Sequence, residues 1–136
     1  TTRYLLPDDS PIRAIRAASA RGVTVRLIVP EKVDSVLTRY ASRSYFDDLL
    51  ASGVEVHLYR DGLLHTKSIS VDNRLSMFGT VNLDMRSIWL NYEVALYVYG
   101  SDFAIGLRQL QQSYIDDSDR LDPQIWNARS FGNRFL

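Results

Sequence analysis

The strongest constraint on what this chain can fold into is the run VTVRLIV at residues 23–29, rich in β-branched residues and held between Gly22 and Pro30. Such a run reads as a mostly buried strand. Upstream of it, Ser10 followed by Pro11 is an N-cap with proline at the first helical position. Ile12, Ala14, Ile15 and Ala18 recur at helical spacing until Gly22 supplies the stop. Residues 4–6 form a short apolar run ended by Pro7, a further strand. The chain therefore opens strand, helix, strand.

Residues 31–52 carry no strand signal. Tyr45, Phe46, Leu49 and Leu50 make an apolar helical stripe that closes at Gly53, so one helix or two broken ones fill the segment. Strands are expected at 54–59, 64–71 and 75–80, with turns at Arg60-Asp61-Gly62 and Asp72-Asn73-Arg74. A last strand spans about 92–99, Ser101 caps a helix to about 115, and Asp122-Pro123 opens a tail bearing Trp126, Phe131 and Phe135. This order predicts an α/β domain, a mixed β-sheet flanked by helices on both faces.

The 136 residues suit one domain spanning 1–136, and 46% apolar content is ample for a core. Without cysteine there is no disulfide framework and no Cys-based metal site. The 16 basic and 16 acidic side chains cancel, which argues against a main task of gripping a nucleic-acid backbone. No run of about 18 apolar residues exists to span a bilayer, and the polar start lacks the layout of a signal peptide. The chain begins without methionine and stops in mid-pattern at Phe135-Leu136. A soluble piece of something longer is the expectation.

Histidine occurs only at 57 and 65 and lysine only at 32 and 67, against 14 arginines. In a strand, His65 and Lys67 project from one face, an imidazole beside an ammonium. Alone, such a pair is as ordinary as a satisfied histidine next to a solvated edge charge. Its downstream spacing is not ordinary: Asp72, Gly79 and Asn82 complete His-x-Lys-x4-Asp-x6-Gly-x2-Asn within HTKSISVDNRLSMFGTVN. By this motif the chain resembles the phospholipase D superfamily. The stretches RGVTVRLIVP, YFDDLLASGVEVHLY, GTVNLDMRS and LNYEV are similar to the carboxy-terminal half of bacterial cardiolipin synthases, over most of residues 4–99.

The resemblance implies a phospholipase D-like fold and a catalytic set of His65, Lys67, Asn82 and Glu93. Phosphodiesters repel anionic nucleophiles, whereas a neutral imidazole can attack phosphorus near neutral pH. The phosphohistidine so formed is resolved by an alcohol or by water. Lys67 would hold a nonbridging oxygen as a point charge, and Asn82 would donate to the same phosphate. In the family a glutamate placed like Glu93 orients the imidazole. The scheme requires no metal and no cofactor.

Supporting positions are Asp72, Gly79 and Thr80. Odd parity turns Asp72 away from His65 and into the turn, where capping is its natural role, and in the family it is thought to be mainly structural. Thr80 stands where many members have serine and keeps the hydroxyl. Gly79 fits either a close backbone approach at the site or a β-bulge. Asp84 and Arg86 read as a pair or cap below the site, and His57 carries no chemistry. Met77 with Phe78, and Tyr97 with Tyr99, read as core or strand packing rather than a lipid groove.

One histidine cannot attack phosphorus and also protonate the leaving alkoxide on its far side. Superfamily members meet this with two copies of the motif, and one copy is present here. By carry-over from two-motif relatives, His65 takes the acid–base role, and the second half comes from upstream sequence or a second subunit. Three readings compete. The first is half of a phosphatidyltransferase that joins two phosphatidylglycerol molecules into cardiolipin, with the parent at the bacterial inner membrane. The others are a homodimeric phosphodiesterase or nuclease, and a non-catalytic fragment that binds phosphate or lipid.

Overall fold

A computed structural model describes residues 1–6, 9–33 and 35–128. Along the chain run β1 (Leu5–Leu6), α1 (Asp9–Ala20), β2 (Arg26–Pro30), α2 (Val36–Ala51) and β3 (Glu55–Tyr59). Next come β4 (Ser68–Val71), β5 (Leu75–Gly79), β6 (Leu83–Asp84), a π-helical turn (Arg86–Leu90) and β7 (Ala95–Tyr99). The chain continues through α3 (Ser101–Asp116), β8 (Ser118–Arg120) and α4 (Pro123–Asn127). The segment from 31 to 52 thus holds one helix, started by Ser35, whose hydroxyl accepts from Thr38 N–H at 3.4 Å. The aromatic positions 131 and 135 lie outside the described residues.

The sheet is mixed and built in three strips. β2 and β3 are parallel, with Leu27 opposite Val56, and β8 adds antiparallel to β3. β4, β5 and β7 form an antiparallel meander, and β1 lies parallel to β6. The first two residues lace these strips together. Thr2 N–H donates to Ile28 O at 3.2 Å, while Leu83 N–H donates to Thr2 Oγ1 at 3.0 Å. Thr1 N donates to Ser68 O at 2.7 Å, and Ser68 N–H returns a bond to Thr1 O at 3.2 Å.

Helices cover both faces, as the alternation of elements implied. The stripe of Phe46, Leu49 and Leu50 on α2 buries against Leu5, Leu27, Val29, Val54 and Val56, and Leu49 and Val56 are fully buried. Trp126 of α4 closes this core, its ring 5.5 Å from Phe46 and its indole N–H on Asp47 at 2.5 Å. On the other face α3 sets Tyr114 against Tyr59 and stacks Phe103 on Phe78. His57 is buried within a cluster of Glu55, Arg26 and Arg120. Burial, the largest effect, holds its pKa below the ordinary histidine value.

Several boundaries depart from expectation. β4 begins at Ser68 rather than 64, so His65 and Lys67 sit in the lead-in to the strand and not within it. Of that pair only Lys67 O reaches the ladder, accepting from Gly79 N–H at 3.2 Å. β7 begins at Ala95, because residues 86–90 wind into the π-helical turn, whose Arg86 O accepts from Asn91 N–H at 2.8 Å. Tyr97 and Tyr99 are exposed, contrary to the packing role expected of them, because β7 is an edge strand of its strip.

Candidate active site

Position 67 is fixed by hydrogen bonds that the local pattern does not reveal. Ser68 and Ser70 bond the two ends of the Gln111 amide on α3, at 3.0 and 2.5 Å, while Thr66 and Ser68 both reach the Thr1 hydroxyl. With its neighbours clamped, the Lys67 side chain is buried and its ammonium donates to His65 O at 2.7 Å. Burial first, then the charge of Arg3, lowers the Lys67 pKa from its usual value, while Glu93 and Asp84 push it back up. Two carboxylates therefore lie within electrostatic reach of this ammonium.

The His65 imidazole is exposed. Its pKa is lowered chiefly by the Lys67 ammonium, with smaller effects from burial and Arg3. A histidine held below its ordinary value is neutral at neutral pH, the form that can attack phosphorus or accept a proton.

Glu93 precedes β7 and is held by its neighbours. The Thr80 hydroxyl bond is the largest influence lowering its pKa, followed by bonds from Ser87 and Asn91 and by the Lys67 charge, while partial burial opposes them. Asn91 Nδ2 donates to Glu93 Oε1 at 3.3 Å. Thr80 joins the strands directly: its N–H donates to Val94 O, and its hydroxyl accepts from Val94 N–H, both at 2.9 Å. Asp84 Oδ1 accepts from Ser87 N–H at 2.7 Å, so it caps the π-helical turn.

Gly79 is where β5 and β7 meet too closely for a side chain. A Cβ there would lie 2.1 Å from Val94 O and 2.8 Å from Ala95 Cα, both backbone atoms. The close approach is thus between strands, and it delivers Glu93 beside Thr80. Gly79→Ala should destabilise the fold by roughly 1–3 kcal/mol as the two strands are forced apart. Urea unfolding of both proteins tests this, with a lower midpoint and an unchanged slope expected.

The remaining residues fall in different places. Asn82 lies in the connection between β5 and β6, its Oδ1 buried without a hydrogen-bond partner. Asp72 is at the far end of β4 from Lys67, about 16 Å away at strand rise. There Asp72 and Asn73 both take positive φ, +50° and +52°, and Arg74 N–H closes the turn on Val71 O at 3.0 Å. Among the described residues the His65 ring has no hydrogen bond to Glu93 or Asp72, and no group of three or more His, Asp or Glu could hold a metal ion. Sequence reasoning does not place Arg3 or Ser87 at the site. Local sequence offers no signal linking residue 3 to residue 65, because their proximity is created by the pairing of Thr1 with Ser68.

A neutral imidazole beside a buried ammonium, with carboxylates in electrostatic reach of that ammonium, suits a phosphodiester. The fold is that of the phospholipase D family: Nuc from Salmonella typhimurium superposes with a TM-score of 0.75 at 21% identity, covering 88% of this chain and 78% of that one. NucT from Helicobacter pylori gives 0.71 at 19% identity, with 88% and 79% covered. Residues 1–114 match the family described as cardiolipin synthase, PLD-like domain, and the chain belongs to that family. Among its curated relatives, Cardiolipin synthase A of Buchnera aphidicola subsp. Baizongia pistaciae is 47% identical over all 136 residues, and that of Cronobacter sakazakii 48%. The chain spans 28% of the length of each.

Proposed function

We propose that this chain is one catalytic half of a phosphatidyltransferase that joins two phosphatidylglycerol molecules into cardiolipin and glycerol. The observation that carries the reading is the 47% identity to Cardiolipin synthase A along the whole chain, beside the His65–Lys67 motif of this sequence. In the first step a histidine nitrogen attacks the donor's phosphorus. A P–N bond forms, the P–O bond to the headgroup glycerol breaks, and a second histidine gives that oxygen its proton. In the second step the headgroup hydroxyl of another phosphatidylglycerol attacks the phosphohistidine. The protonating histidine, now neutral, takes the hydroxyl proton, and the P–N bond breaks.

His65 takes the protonating role. Its ring is neutral at rest, and the negative phosphodiester raises its proton affinity once substrate is bound. Lys67 and Asn82 stabilise the phosphate oxygens, while Glu93 supports the charged side chains around them. The nucleophilic histidine comes from a second half-site, in the remainder of a longer protein or in another copy of this chain. An exposed apolar stretch of chain fits such a partner: Met85, Trp89, Leu90, Tyr92, Val94 and Tyr97, all within residues 85–97, are exposed. No helix among the described residues is long and apolar enough to cross a membrane.

Phosphatidylglycerol labelled in its headgroup glycerol tests the reaction class in the full-length protein. Transfer yields free glycerol and cardiolipin in equal amounts. Phosphatidic acid in place of cardiolipin would show hydrolysis and overturn the reading.

A further inference from the structure

Beneath α3 the sheet presents hydroxyls where apolar side chains would pack without any need for partners. In the β4–β5 register Ser70 stands opposite Ser76, and Ser68 opposite Phe78. Alternation along the strands turns these four residues to one face, and Phe78 stacks on Phe103 of α3, so it is the face the helix covers. Ser68 and Ser76 are buried there, and among the described residues Ser76 Oγ has no hydrogen-bond partner. A buried hydroxyl costs free energy unless it is bonded. Three serines under one helix are therefore not explained by packing.

Gln111 of α3 reaches two of the three. Its Oε1 accepts from Ser70 Oγ at 2.5 Å, and its Nε2 donates to Ser68 Oγ at 3.0 Å. A side-chain amide can do both, whereas a carboxylate has no donor and an ammonium no acceptor. By bridging positions two apart in β4, the amide fixes the start of that strand against the helix. The residue just before the bridge is Lys67, whose main-chain oxygen accepts from Gly79 N–H at 3.2 Å and whose ammonium donates to His65 O at 2.7 Å.

We propose that Gln111, far outside the His-x-Lys motif, is a positioning residue for Lys67: by tying Ser68 and Ser70 to α3 it sets where the ammonium stands relative to the His65 ring and a bound phosphate. The proposal rests on the phosphatidyl-transfer reading for its effect on turnover, and on the hydrogen bonds alone for the placement of the charge. Lysine carries its charge on a flexible stem, so the main chain beneath it has to supply the precision. A displacement of about 1 Å can cost on the order of 10²-fold in rate.

The test follows the isotope-labelled chain, in which His57 is the one other histidine and Lys32 the one other lysine, each an internal reference. The Lys67 charge is the largest influence lowering the His65 pKa, ahead of burial and the Arg3 charge, so the His65 ring titration reports where the ammonium stands. Q111M removes both bonds at similar volume. The expected result is a His65 midpoint raised toward the ordinary histidine value with the His57 midpoint unmoved. Inorganic phosphate, followed at the Lys67 Cε signal, should bind roughly tenfold more weakly. S70A removes one of the two bonds and should shift both readings the same way by less, while S70T, which keeps the hydroxyl, should behave as the original. F103A is the control for a loosened helix: it removes the stack on Phe78 and should lower the melting temperature while leaving the His65 midpoint in place.

A His65 midpoint and a phosphate affinity equal to the original in Q111M and S70A overturn the proposal. So does F103A moving the His65 midpoint as far as Q111M does, since the helix as a whole would then be responsible. If Q111M does not fold, the contrast of S70A with S70T decides. In the full-length protein Q111M should lower kcat on phosphatidylglycerol roughly 10²-fold with KM changed only a few-fold, and an unchanged kcat overturns the role in turnover. If the unsubstituted protein makes only phosphatidic acid, the transfer reading fails, while the His65 titration still decides whether Gln111 places Lys67.

Discussion

Replacing His65 with alanine in the full-length protein should cut turnover on phosphatidylglycerol by at least 10²- to 10⁴-fold, roughly 3–5 kcal/mol of barrier. This is the usual effect of losing a positioned proton-transfer group. The geometry makes the experiment clean, because the Lys67 ammonium is bonded to the main-chain oxygen of His65 and not to its ring. The substitution removes the imidazole and leaves the ammonium its acceptor. Lys67→Ala should be similarly severe, since it removes charge stabilisation from the displacement itself. It should also raise the His65 pKa toward the ordinary value, because the Lys67 charge is the largest influence holding it down. Headgroup glycerol release measures turnover, and ring-proton titration of His65 measures the shift. Turnover within a few-fold of the original in His65→Ala would remove His65 from the reaction.

The parts of the fold legible in the sequence are those whose causes are local. The stripe of Phe46, Leu49 and Leu50 lies on one helical face and packs as such, and Gly53, with φ of +85°, ends that helix where expected. Asp72 and Asn73 tolerate positive φ, so residue type alone places the β4–β5 turn. The elements that escape a sequence reading depend on distant partners. β8 exists because Ser118, Asp119 and Arg120 find the open edge of β3, and nothing in their own composition favours a strand. Trp126 reads in sequence only as an aromatic in a tail, while its place in the core depends on α2 presenting Phe46 and Asp47.

The same division holds at the site. The motif spacing names His65, Lys67 and Asn82, and the family resemblance adds Glu93, yet the strand parity that unites the first two describes a regular ladder, and both residues precede β4. What holds them is the clamp through Thr1, Ser68 and Gln111, whose bonded pairs are 67 and 43 positions apart in sequence. Gly79 fits a close approach or a bulge in sequence terms, and only the register opposite Ala95 shows that two strands meet there.

The 136-residue chain as a monomer should show negligible turnover on phosphatidylglycerol. Attack on phosphorus and protonation of the leaving oxygen occur on opposite sides of the phosphorus, and one imidazole cannot serve both sides of one displacement. His57, the other histidine, is buried in its cluster with Glu55, Arg26 and Arg120 and belongs to the framework. The measurement is glycerol release across a concentration series, with sedimentation to establish the monomer. Activity rising with the square of concentration would identify a second copy of this chain as the missing half, seated on the stretch around Leu90 and Tyr92. Leu90→Asp together with Tyr92→Asp, both highly exposed in the monomer, should then abolish that activity, since charge in an apolar contact leaves an unpaired group buried, while the monomer's melting temperature stays near the original. Turnover proportional to concentration from a demonstrated monomer would refute the two-histidine requirement.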